Sequence, residues 1–481
     1  MSRMRFALSF FLSSLLLCVI TLSSAAQTSS SITPRYLMGL GEYQCFIINT
    51  STGKLYGISG NLVTSGVAWD AGVEGLPVQV GGGPRHHRFF DVASGMHNSL
   101  AIDEHGDVWT WGANGNGESG TGTTMDLGLA PVKIETDSSG RPFTGVVQVA
   151  CYSTDHCNGN LAVKADGTVW VWGLTTEGLR GDGQKGQVNT RPVEVHIPEG
   201  KKIVKVVGGM FAMALASDGT VWTWGGNNRK ELLGTNTADY THPHRVPLPQ
   251  KAKDIAGGAY FSYALSVNGT LYGWGYYTSY MCIGRKGWAN QEQAPLQPRD
   301  LTADLGLPHP IASVVTNSES THVILTDGSL WGWGDNACGC VGNGQELDYI
   351  KHVPPYAWNW GPGQLLVTKP VRLAPAVHDF VRIFGGNCAV FYSYALTASG
   401  QLYSWGRNKS SVLGNGVVNA TPNISAEYPN SWDVPLATPV DPFGLKSHTV
   451  VTSPYCLLHP EGRFCNEYRV PQPSDSPAAG Q

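Results

Sequence analysis

Two pairs of histidines are the first residues in this chain to suggest chemistry. His86 and His87 lie in "GGGPRHHRFF", and His242 and His244 in "HPHR". Imidazoles so close together can share a divalent metal. In a basic, Gly/Pro-rich loop they are more often solvated, and no metal site is assigned. Gly115, Gly117 and Gly120 in "GNGESG" spell a nucleotide-binding string. That string cradles a pyrophosphate only between a parallel strand and a helix; here it follows a hairpin pattern and reads as a turn. There is no Gly-x-Ser-x-Gly elbow and no His-Glu-x-x-His. Acidic residues are scattered, and Asp166, Asp218 and Asp327 are explained as turn residues before glycine. The expectation is a protein that is not an enzyme, with no catalytic residues and no cofactor.

Cysteine chemistry points to an oxidising compartment. Of ten cysteines, Cys18 falls in an apolar leader, and the close pairs Cys151/Cys157 and Cys456/Cys465 are the disulfide candidates. "CGC" at Cys338 to Cys340 lacks the spacer of a zinc knuckle. The leader has Arg3 and Arg5, an apolar run from Phe6 to Leu22, and small residues at Ser24 and Ala26. This is the pattern of a signal peptide, 1–26, cleaved after Ala26. The alternative is an uncleaved anchor, since the run approaches spanning length. Cleavage leaves no membrane span and a secreted or extracytoplasmic product. Sequons at Asn49, Asn268, Asn408, Asn419 and Asn423 are candidate glycosylation sites if the pathway is eukaryotic. A formal net charge of −4, with no Lys/Arg stripe, excludes a strongly basic nucleic-acid binder.

The elements that carry these residues repeat. "EHGDVWTWGAN", "ADGTVWVWGLT", "SDGTVWTWGGN", "VNGTLYGWGYY", "TDGSLWGWGDN" and "ASGQLYSWGRN" share one scheme, and "CFIINTSTGKLYGISGN" is a degenerate first copy. Asp-Gly or Asn-Gly between alternating apolar runs is the hairpin signal, because both turn residues need positive φ. Alternation in "VWTW" sets Trp222 and Trp224 on one face of a strand. Seven hairpins spaced by roughly 50 to 70 residues suit four-stranded propeller blades. "PVEVHI", "HRVPLP" and "PVRLA" supply one further strand, and "KIVKVVGG" and "DFVRIFGG" the other. The paired aromatic residues are then core, packing blade on blade.

The run Gly-Gly…Ala-Leu…Asp-Gly-x-Val-Trp-x-Trp-Gly-x-Asn…Leu-Gly resembles the regulator of chromosome condensation repeat family. "NNRKELLG", "SSVLG" and "MCIG" keep the family's tail. The resemblance implies an all-β, seven-bladed propeller over 43–469, after a lead-in at 27–42 and before a disordered tail at 470–481. "YCLLHPEGRFC" leaves an eighth blade open as the alternative, or an add-on that closes the ring. The plant ultraviolet-B receptor is similar too, but its intracellular setting and tryptophan-to-arginine arrangement are not evident.

Outside the repeat lie two aromatic inserts. One holds Tyr356, Trp358 and Trp360, and the other Tyr276, Tyr277, Tyr280 and Trp288 beside Arg285 and Lys286. Aromatic residues on a rigid scaffold are typical binding anchors; a lid folded back onto the propeller is the competing reading. The expected function is a secreted, monomeric scaffold that binds an unidentified protein, or a glycan, through its loop face. The family's best-known member, a guanine-nucleotide exchange factor for a small GTPase, implies the alternative: exchange on a Ran-like GTPase in a host or another compartment. No residue here maps onto that member's wedge.

Overall fold

The computed structural model describes residues 35–41, 44–58, 78–80, 87–154, 157–226, 233–235, 237–259, 261–275, 297–318, 320–336, 339–345, 366–386, 390–408, 412–415, 417–419, 434–441, 443–444 and 449–451. Seven four-stranded antiparallel sheets follow one another along the chain. Blade one is β1 (Tyr36–Leu40), β2 (Cys45–Asn49), β3 (Lys54–Ile58) and β4 (Val78–Gln79). Blade two is β5 (Phe89–Ser94), β6 (Asn98–Asp103), β7 (Val108–Gly112) and β8 (Gly128–Lys133). Blade three is β9 (Val146–Thr154), β10 (Cys157–Lys164), β11 (Val169–Leu174) and β12 (Val188–Val195). Blade four is β13 (Ile203–Gly208), β14 (Ala212–Ala216), β15 (Val221–Trp224) and β16 (His244–Arg245). Blade five is β17 (Ala252–Gly257), β18 (Phe261–Ser266), β19 (Leu271–Gly275) and β20 (Arg299–Asp300), followed by the single-turn helix α1 (Thr302–Leu305). Blade six is β21 (Ile311–Thr316), β22 (Ser320–Leu325), β23 (Leu330–Asp335) and β24 (Leu366–Leu373). Blade seven is β25 (Phe380–Phe384), β26 (Tyr392–Thr397), β27 (Leu402–Gly406) and β29 (Val434–Val440). A separate parallel pair joins β28 (Val417–Asn419) to β30 (Thr449–Val451).

The protein is therefore a seven-bladed all-β propeller. Its core is seven wedge-shaped layers, one between each pair of consecutive blades. The seventh joins the chain ends: Tyr36, Leu40 and Cys45 of blade one pack with Phe384, Tyr392 and Leu402 of blade seven. Tyr392 Oη donates to the carbonyls of Gly41 and Gln44, both at 2.9 Å. The seam closes by packing, with each of the two sheets built from its own end of the chain. β1 falls inside the stretch expected as a lead-in, so the first blade starts earlier than its degenerate repeat suggested. The segment holding "YCLLHPEGRFC" and the terminal segments 1–34 and 452–481 lie outside the described residues.

The turns explain why the repeat reads as it does. Asp166 Oδ1 accepts from the amide and hydroxyl of Thr168, whose Oγ1 accepts from Trp170 Nε1 at 2.9 Å. Asp218, Thr220 and Trp222 repeat this, as do Asp327, Ser329 and Trp331. The turn glycine then hands its carbonyl to the next blade: Gly106 to Val146 N, Gly167 to Ile203 N, Gly219 to Ala252 N and Gly328 to Phe380 N. The turns between second and third strands thus share one face of the propeller, which their bonds stitch together. The third strand of each blade runs to the opposite face, where the tails begin.

Candidate functional site

The tail face is organised by the second tryptophan of each pair. Trp111, Trp172, Trp224, Trp274, Trp333 and Trp405 are fully buried, whereas Trp109, Trp331 and Tyr403 stay half-buried. Three of these indoles reach back to the tail of the preceding blade. Trp172 Nε1 donates to the Glu118 carbonyl at 2.9 Å, Trp224 to Leu179 at 2.8 Å and Trp405 to Cys340 at 3.1 Å. The tail glycine lies under the ring. Gly120 is held at φ +69°, and a Cβ on it would stand 2.9 Å from the Trp172 ring; Gly342, at φ +85°, meets Trp405 at 2.7 Å. "GNGESG" is therefore a blade-locking turn, as its position after a hairpin implied. An asparagine closes the loop: Oδ1 of Asn114, Asn336 and Asn408 accepts from the amide of Ser119, Val341 and Leu413.

The aromatic binding candidates Tyr276, Tyr277, Tyr280, Trp288, Tyr356, Trp358 and Trp360 lie outside the described residues. What is described is where their segments attach. β19 ends at Gly275 and β23 at Asp335, both third strands, so both segments leave from the tail face.

The remaining candidates divide. His87 Nδ1 donates to Asp103 Oδ2 at 2.6 Å, and Asp103 also takes Trp109 Nε1 and the amides of His105 and Asp107. Burial alone raises that carboxyl, but these donors outweigh it and hold it below the ordinary range. His242 and His244 both turn to Asp239 Oδ2, at 2.8 and 3.2 Å. Burial pushes Asp239 up as well, yet Thr241 and the two histidines together pull it well down. The three candidate histidines that are described, His87, His242 and His244, thus each serve a turn carboxylate; His86 lies outside the described residues.

One disulfide expectation needs correcting. Cys151 is a buried thiol donating to Asn160 Oδ1 at 3.3 Å. The hairpin pairs Cys157 with Thr154 and Cys151 with Asn160, so the two cysteines are offset along the ladder. Cys456 and Cys465 lie outside the described residues. Among the sequons, Asn268 is exposed at a hairpin turn, and Asn49 is half-buried with Oδ1 on the amide and hydroxyl of Ser51. Asn408 is wholly buried as a tail-closing residue, which leaves no room for a glycan. Asn419 lies in β28 with its side chain undescribed, and Asn423 lies outside the described residues.

Sequence reasoning missed a second arrangement, at the axis. In six blades the innermost strand slips its register at one place, next to Asp91, Gln148, Lys205, Asp254, Ser313 and Arg382. These side chains form a polar girdle that links neighbours. Asp91 accepts from Val149 N at 3.0 Å, Gln148 exchanges two bonds with the backbone of Val206, and Lys205 Nζ reaches Asp254 Oδ1 at 2.5 Å. The signal was a polar residue at one fixed place in otherwise apolar strands: the second Lys of "KIVKVVGG" and the Arg of "DFVRIFGG".

Fold and tails together define a propeller of tryptophan–glycine repeats. The chain belongs to the RCC1-like domain family, whose model matches residues 50–437. It is 28% identical over 338 residues to the ultraviolet-B receptor UVR8 of Arabidopsis thaliana, covering 69% of this chain and 68% of the receptor. It is 24% identical over 349 residues to protein pim1 of Schizosaccharomyces pombe, covering 68% of this chain and 60% of pim1. Among solved structures, Prp20p of Saccharomyces cerevisiae, described with its binding to Gsp1p and histones, superposes with a TM-score of 0.60. That likeness covers 80% of this chain and 84% of Prp20p at 22% identity, and shows the shared fold.

Proposed function

We propose that this protein is a secreted propeller scaffold that captures another protein through its tail face. The observation that carries this reading is the attachment of both aromatic segments, 276–296 and 346–365, to third strands that end on that face. The apolar leader at 1–26 supports export. A propeller also displays loops from every blade on one rigid rim, where binding residues are well placed. The test is affinity capture with the mature protein beside a Trp358→Ala/Trp360→Ala variant of unchanged thermal stability. One partner recovered with the parent and lost with the variant supports the reading; equal recovery with both removes this site. Recovery of glycans alone would move the ligand class.

A second reading rests on the fold shared with Prp20p, whose described partner is Gsp1p. On this reading the chain speeds nucleotide release from a Ran-like GTPase. Release of a labelled nucleotide from purified Ran supports it, and an unchanged rate at high protein concentration excludes it.

A further inference from the structure

In two blades a hydroxyl ties down the carbonyl just before the tail glycine. Thr223 donates to the Leu233 carbonyl at 2.6 Å, and Ser404 to the Leu413 carbonyl at 3.0 Å. Blade six has Gly332 at the place of Thr223 and Ser404. An imidazole does the work instead. His322, opposite Gly332 on β22, brings its Nε2 to 3.2 Å from the Val341 carbonyl. A Cβ on Gly332 would stand 2.9 Å from the His322 ring, so the bare glycine makes room for it. Nε2 also lies 3.1 Å from Trp405 Nε1, and the two rings meet edge to face with centroids 5.0 Å apart. The places matching His322 hold Leu100, Leu161, Met213, Tyr263 and Tyr394, none of which gains a charge in mild acid.

This tail is the joint between blades six and seven. Trp405 Nε1 donates to the Cys340 carbonyl at 3.1 Å, Cys340 Sγ to the Phe391 carbonyl at 3.1 Å, and Ala437 N to the Gly342 carbonyl at 3.0 Å. Asn343 bridges to Leu436 of β29. The chain then passes from the tail, 339–345, directly into segment 346–365. At the centre of the joint the neutral imidazole has one N–H and one lone pair. Its Nδ1 has no hydrogen-bond partner among the described residues, although the ring is wholly buried. A second proton would remove the lone pair, leave an N–H at Nδ1 with no acceptor, and bury a full charge.

We propose that His322 is an acid-released latch: neutral, it holds the blade-six tail against blade seven, and its protonation frees that tail and the root of segment 346–365. Packed against the ring are Gly332 of β23, Leu373 of β24, Cys340 and Val341 of the tail and Trp405 of β27. Of these only Cys340 titrates, and its thiol turns to the Phe391 carbonyl. No charged side chain among the described residues acts on the imidazole; burial pushes it down to about 4, against the pull of the Val341 and Cys340 carbonyls. Once the tail opens, the ring takes its proton at the ordinary value of about 6.5. Closure is therefore strongest above pH 6.5 and weakens as pH falls toward 4. That the freed segment is the capturing one rests on the tail-face reading above; the latch itself does not.

The test is amide hydrogen exchange of the mature protein at pH 7, 5 and 4, each rate divided by the free-chain rate at that pH. Relative to pH 7, exchange in 339–345 and β27 is expected to rise about 20-fold at pH 5 and about 100-fold at pH 4. The layer around Trp172 has the same indole-to-tail bond with Leu161 in place of histidine, and should respond far less. His322→Gln, whose amide can still donate to the Val341 carbonyl, should lose the acid response. If that variant unfolds, the comparison of the two layers in the parent still decides. An equal acid response in both layers, or a folded His322→Gln that keeps the parent's response in 339–345, overturns the proposal. Exchange needs no partner. Failure of the capture reading therefore leaves the latch standing, and an unresponsive tail removes the latch while leaving capture.

Discussion

Replacing Gly120 with alanine tests the blade-to-blade packing most directly. Gly120 sits at φ +69°, and an added Cβ would lie 2.9 Å from Cδ1 and Nε1 of Trp172 and 2.9 Å from Ile134 Cδ1. The left-handed backbone costs a residue with a side chain about 1–2 kcal/mol. Forcing a methyl into a packed layer adds about 1–3 kcal/mol, for a total loss of about 2–5 kcal/mol. Two nearby glycines separate these contributions. Gly140 has φ +82° and nothing within 4 Å of its Cβ, so Gly140→Ala should show the backbone cost alone. Gly115 has nothing within 4 Å and no positive φ, so Gly115→Ala should stay within about 0.5 kcal/mol of the parent. The assay is urea unfolding followed by tryptophan fluorescence, with amide exchange in β11 to confirm that the loosened layer is the one around Trp172. If Gly120→Ala loses no more than Gly140→Ala, the indole is not what requires glycine there, and this account of the tails fails.

Four further outcomes follow from the structure. His322 is fully buried, and burial pushes its imidazole down to about 4. Between about pH 6.5 and 4 the unfolded chain takes up a proton that the folded chain refuses, so the stability contributed by His322 is full above that window and falls within it, by about 3 kcal/mol for this group alone. His322→Leu, the side chain at the matching place of blade three, should flatten this acid limb in urea titrations, and an unchanged slope would refute it. Asp91 works in the opposite sense, since its raised carboxyl favours the folded state at low pH and costs stability as pH rises through 6, so Asp91→Asn should steepen the acid loss left by His322. Tyr392→Phe removes both bonds across the seam and should cost about 1–3 kcal/mol, with faster amide exchange concentrated in β1 and β2; uniform exchange would place the closure elsewhere. Expressed in a eukaryotic secretory host, the chain should carry glycan at Asn268 and none at Asn408, as peptide mapping after glycosidase treatment would show; a glycan on folded Asn408 would contradict its burial.

What recurs in this chain was legible, because each recurring letter answers a contact made at every blade boundary. Asp-Gly-Thr announces a hairpin whose aspartate and threonine hold the first tryptophan, and Leu-Gly marks the floor under the second. Such contacts are local, or join the ends of one repeat to the next, so their spacing is visible in one dimension. The Cys151/Cys157 pairing failed for the complementary reason. Six residues apart looks close, but a tight hairpin sets Cys157 opposite Thr154 and carries Cys151 on to Asn160. A separation along the chain says little about partners across a ladder. The Asn408 sequon failed because the same Trp-Gly-x-Asn letters already commit that amide to closing the tail.

The axial girdle shows a different limit. Asp91, Lys205 and Arg382 each look like the polar half of an ordinary alternating strand, and each is unremarkable alone. Their meaning comes from six strands brought around one axis, a relation that no single repeat contains. Within the girdle, Gln148 and Lys205 are consumed by bonds to the next blade, whereas among the described residues Arg382 makes no hydrogen bond. The repeat builds the frame by making every blade alike, and individuality enters where a blade departs from it. Those departures are the charge at Arg382, the buried His322 opposite Gly332, and the aromatic segments that follow β19 and β23. A departure that the neighbouring blades do not absorb into packing is free to meet a ligand. That is the physical reason to look for function first at the tail-face inserts, rather than among the tryptophans that dominate the sequence.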